Sequence, residues 1–254
     1  FPTRRSSDLG TPAGSPYATA GVYTFPTNNT DAALQAEEHA TNLYLDAHLS
    51  LYGSAVDSQI IVAMDVSFSA APAGTATLWC WGRNLSASTI IGLDLTSSET
   101  PRFLHRSKGG TLANPTMTAD SGTFAAFRNQ GVFSLVMGLR LVTSTTLAVD
   151  MLLGNGALSA QYSLAEFDVL GAGTAIPGIS DGITMADFGG LYLGTRGAAV
   201  PQNYWGNGAA NVSALGNFSA RKFDSYSAPR VTEVMDYMVN RKRDFPRNLC
   251  SDYS

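Results

Sequence analysis

Residues 60–68 alternate without a break: Ile60, Val62, Met64, Val66 and Phe68 occupy every second position, with Ile61, Ala63, Asp65 and Ser67 between them. A period of two marks an extended strand with one buried face, because successive side chains leave a strand on opposite sides. The period recurs along the chain. Leu43, Leu45, Ala47, Leu49 and Leu51 alternate with Tyr44, Asp46, His48, Ser50 and Tyr52. Residues 75–81 set Leu78 and Cys80 opposite Trp79 and Trp81, and Ile91, Leu93 and Leu95 follow, then Phe103 and His105. Phe133, Leu135, Met137, Leu139 and Leu141 make a second long run with a polar-tolerant face. Residues 145–153 and 158–164 flank Gly154-Asn155-Gly156, whose Asn-Gly pair favours the positive φ angles of a tight hairpin. Residues 166–170, 188–194 and 217–226 complete the expected strands.

One helix is expected, at the end. Ser227 can cap it, Pro229 suits its first turn, and Val231, Val234, Met235 and Met238 recur at helical spacing up to Asn240, with Pro246 as the stop. Many short strands and no recurrent helices exclude the crossovers of a parallel α/β fold. They predict an all-β, two-sheet antiparallel sandwich closed by one short C-terminal helix. The sandwich is expected to be a single domain over residues 31–248, with residues 249–254 as a tail. Residues 31–40 read as one or two helical turns capped by Asp31. Residues 10–30, rich in Gly, Pro, Thr, Ala and Asn, read as a linker or loosely attached arm. Phe1-Pro2-Thr3-Arg4-Arg5-Ser6-Ser7-Asp8-Leu9 resembles the translation of a sequencing adapter and is set apart with it, which implies a natural chain that begins further upstream.

Only 14% of the 254 residues are charged, and 25 are glycine, a mixture suited to extracellular or virion β-proteins. A formal charge of −4 provides no cationic field for a phosphate backbone, so nucleic acid is not an expected partner. Arg241, Lys242, Arg243 and Arg247 complement the carbonyl end of the helix. No run has the length of a membrane-spanning helix. The distant pair Cys80 and Cys250 implies no disulfide framework, and both are expected to be reduced thiols.

From about Leu43 to Met238 the chain resembles the concanavalin-like lectin and glucanase superfamily, particularly the laminin-G-like jelly rolls of secreted and phage tail proteins. The stretch that carries the likeness is Gly190-Leu191-Tyr192-Leu193-Gly194, a Gly/Asn-rich loop, the strand from Gly216 through Phe218, Phe223 and Tyr226, and then the helix containing Val231. The resemblance implies a jelly-roll module that binds carbohydrate or joins a virion or surface assembly, with carbohydrate, other surface proteins or further copies of itself as partners. The family's hydrolases carry Glu-x-Asp-x-x-Glu, with the outer glutamates as nucleophile and acid/base. Here Glu166 and Asp168 match, but Gly171 stands at the third position. A polysaccharide hydrolase or lyase is therefore the alternative, and outward polar positions on an alternating strand explain the two carboxylates more simply.

The loop Gln202-Asn203-Tyr204-Trp205-Gly206-Asn207-Gly208 is the main binding candidate, since a flat aromatic face suits a sugar ring and neighbouring amides bond its hydroxyls. Packing or assembly fits the same loop. Tyr192, on the family-like strand, joins Asn203, Tyr204, Trp205 and Asn207 as a ligand candidate. Trp79 and Trp81 fit the core, but on a solvent-facing sheet Trp81 with Arg83 would form a second platform. His39, His48 and His105 lack zinc spacing. Asp181, Asp187, Asn203 and Asn207 offer oxygen atoms for calcium without a defining pattern, so no cofactor is expected. No Gly-x-Ser-x-Gly elbow and no phosphate loop occur.

Overall fold

A computed structural model describes residues 22–25, 34–35, 56–82, 90–106, 114–143, 146–168, 191–194 and 213–244. These form strands β1 (Val22–Phe25), β2 (Leu34–Gln35), β3 (Gln59–Phe68), β4 (Ala76–Gly82), β5 (Ile90–Leu95) and β6 (Pro101–Arg106). They continue as β7 (Thr118–Ser121), β8 (Phe133–Leu141), β9 (Thr146–Gly154), β10 (Ser159–Asp168), β11 (Leu191–Leu193) and β12 (Ser213–Phe223), followed by helix α1 (Arg230–Asp244). A seven-stranded sheet runs in the order β1-β12-β3-β8-β9-β10-β7, and a five-stranded sheet in the order β2-β11-β4-β5-β6. Every pairing is antiparallel. The described residues thus form the expected all-β sandwich with a helix near its C-terminal end.

The alternation in β3 and β8 dictates how the layers meet. Ile60, Val62, Met64, Val66 and Phe68 join Phe133, Leu135, Met137, Leu139 and Leu141 in the core between the sheets. Leu147, Val149, Met151 and Leu153 of β9 extend it, and Trp79, Leu93 and Phe103 face them from the smaller sheet. Each such side chain contributes about 1.5–3 kcal/mol on burial. The intervening face of β3 is apolar in its first half for a separate reason. Ile61 and Ala63, with Val136 of β8, pack beneath Val231, Met235 and Met238 of α1.

Helix α1 begins one residue after Pro229, where the Arg230 N–H donates to the Ser227 carbonyl at 3.2 Å and the Glu233 N–H to the Pro229 carbonyl at 2.8 Å. Two glycines set its approach. A Cβ on Gly138 would lie 2.6 Å from Val231 Cγ2, and one on Gly154 would lie 3.1 Å from Met235 Sδ.

Several boundaries differ from expectation. The strands expected at 158–164 and 166–170 are the single strand β10, whose register against β9 shifts between Leu164 and Phe167. Strand β12 begins at Ser213, ahead of the expected start at 217, because a break in register between Gly216 and Ser219 hides its continuity. Asn217 occupies that break at φ +50. In the hairpin after β9 only Gly156 takes a positive φ, of 87°, while the Asn155 side chain accepts the N–H groups of Ala157 and Leu158 at 3.0 and 2.8 Å. Within the stretch expected to be helical turns, Leu34–Gln35 instead pairs with β11. Within the stretch read as linker or arm, β1 pairs with β12. The strand expected around Leu43–Leu51 lies outside the described residues.

Candidate functional site

Strand β11 brings two of the expected ligand residues onto neighbouring strands. Its partners are β2 and β4: Tyr192 pairs with Gln35 and Cys80, while Trp81 pairs with Leu191 and Ile91. These are adjacent registers, and adjacent registers of a pleated sheet alternate between its faces. Tyr192 and Trp81 therefore do not share one row. Gly194, at φ +73, closes β11 and donates its N–H to the Leu78 carbonyl at 2.9 Å. Asn203, Tyr204, Trp205 and Asn207 lie outside the described residues, as do His39, His48, Asp181, Asp187 and Cys250.

Trp79, two residues before Trp81, is fully buried and packs on Phe218 with ring centroids 6.3 Å apart. It belongs to the core. The opposite face of the smaller sheet is closed as well: Thr77, Cys80, Asp94 and Leu104 are buried, and the Thr77 hydroxyl donates to Asp94 Oδ1 at 2.7 Å. His105 is buried in β6. Among the described residues no group of three or more His, Cys, Asp and Glu side chains is placed to hold a metal ion. No helix among them is long and apolar enough to cross a membrane.

Glu166 and Asp168 lie at the end of β10, at and beyond its shift in register, and Asp168 pairs with Thr146. The shift interrupts the regular alternation between them and the rest of the strand. Gly171, where the hydrolase pattern calls for its second outer glutamate, lies outside the described residues.

Sequence reading passed over three polar groupings. On the outer side of the seven-stranded sheet, Asp150 stands in register with Gly138 and Ser163, and the Ser163 hydroxyl donates to Asp120 Oδ1 at 3.1 Å. Burial raises the Asp150 carboxyl above its ordinary range, Asp120 adds to the rise, and Arg140 opposes it. Arg140 also donates to Asp57 Oδ1 from Nη2 at 2.6 Å and lies 4.0 Å over the Tyr226 ring. Further along the same face, Asp65 accepts from Ser134 Oγ at 3.2 Å and from Asn217 Nδ2 at 2.6 Å. The third grouping ties the two sheets together. Glu99, buried in the β5–β6 turn at φ +58, accepts from Arg128 Nε at 2.9 Å and from Arg128 Nη2. Single carboxylates within strands or turns carry no period, so only their burial, visible in three dimensions, sets them apart.

No family model matches the chain, and no match emerges among curated proteins. Its fold is similar to that of the receptor binding domain of botulinum neurotoxin type G, at TM-score 0.50 and 9% identity, over 90% of this chain and 45% of that one. A Ruminococcus gnavus IT-sialidase CBM40 bound to alpha2,3 sialyllactose aligns at TM-score 0.45 and 10% identity, over 85% of this chain and 97% of that one. Leech intramolecular trans-sialidase complexed with 2,7-anhydro-Neu5Ac aligns at TM-score 0.45 and 9% identity, over 85% of this chain and 27% of that one. The chain thus spans about a quarter of the leech enzyme and under half of the toxin domain. At such identities the likeness is one of architecture: this chain is a β-sandwich.

Proposed function

We propose that the chain is a non-catalytic carbohydrate-binding module, a jelly roll of the concanavalin-like, laminin-G-like kind that works outside the cell or on a virion. The observation that carries this reading is the pairing of a sandwich scaffold with the segment Asn203-Tyr204-Trp205-Gly206-Asn207. This segment combines aromatic faces for a sugar ring with amides for its hydroxyls. A sandwich of like fold serves botulinum neurotoxin type G as a receptor binding domain, so the scaffold suits recognition. Of Tyr192 and Trp81, which occupy adjacent registers on neighbouring strands, one at most extends the same contact surface in this reading. Glu166 and Asp168 lack a third carboxylate at Gly171, which favours binding over hydrolysis. The reading needs no cofactor, and added calcium is expected to leave affinity unchanged. A glycan array probed with the full chain tests it. Binding to defined oligosaccharides, reduced at least tenfold by Trp205→Ala in a correctly folded variant, is expected. Binding that survives Trp205→Ala removes the loop as the site, and an array without hits favours a structural role in a surface assembly.

A further inference from the structure

We draw no further inference here: the strongest candidate, the polar strip of Asp120, Asp150, Gln161 and Ser163 on the outer face of the seven-stranded sheet, is an acidic cluster beside which nothing among the described residues points to a bound ion or ligand.

Discussion

Asp150 lies half-buried on β9, and its raised carboxyl pKa comes first from burial, then from Asp120, with Arg140 acting in the opposite sense. A carboxylate whose folded pKa is raised destabilises the fold while it is ionised. Stability therefore grows as pH falls through the folded pKa towards the ordinary aspartate value, and that gain is absent at neutral pH. Asp150→Asn is expected to unfold at a higher temperature than the parent at pH 7, with the difference shrinking as pH falls towards about 4, the ordinary aspartate value. An equal or lower midpoint for the variant at pH 7 contradicts this. Tyr162 makes the opposite kind of contribution. Its buried hydroxyl accepts the buried Phe124 N–H at 2.6 Å, and burial pushes its own ionisation upward, so it stays neutral and available as an acceptor. Tyr162→Phe leaves that N–H without its acceptor and should lower unfolding free energy by about 1–3 kcal/mol in urea titrations. Unchanged stability counts against that role.

At the scale of elements, helix α1 is held by apolar contact and by the room that glycine leaves. Val231 sits so close to Gly138 that a methyl group there must displace the Val231 side chain, the helix or the strand. Gly138→Ala is expected to cost about 1–3 kcal/mol, as overpacking does. Gly154→Ala should cost less, because its neighbour is the thioether of the flexible Met235. Equal losses in denaturant titrations of the two variants would show that α1 does not discriminate between them. Strands β3, β8 and β9 were legible because their long alternating runs answer directly to a buried face. The helix was legible from Val231, Val234, Met235 and Met238 for the same reason at a different period. Strand β7 was not: Thr118-Ala119-Asp120-Ser121 is exposed throughout and is extended only because β10 offers it backbone partners. The breaks in register within β10 and β12 were likewise invisible, since a bulge resets the alternation that reading depends on. Of the candidate site, sequence supplied residue types and a plausible loop, while contacts such as Asn217 to Asp65 join positions too far apart for any local pattern to link.

At the scale of the whole molecule, the described residues show cover over part of each outer face of the sandwich. Helix α1 lies over β8 and β9, and Thr77, Cys80, Asp94 and Leu104 are buried on the outer side of the smaller sheet. Among the described residues, the centre of neither sheet offers a broad exposed platform. Binding without turnover is the central claim, and the measurement closest to it follows one oligosaccharide selected from the array. The full chain is incubated with it, and bound and free sugar are recovered and separated by chromatography. The account predicts saturable binding and recovery of the oligosaccharide intact. Release of shorter products, abolished by Glu166→Gln, would contradict it.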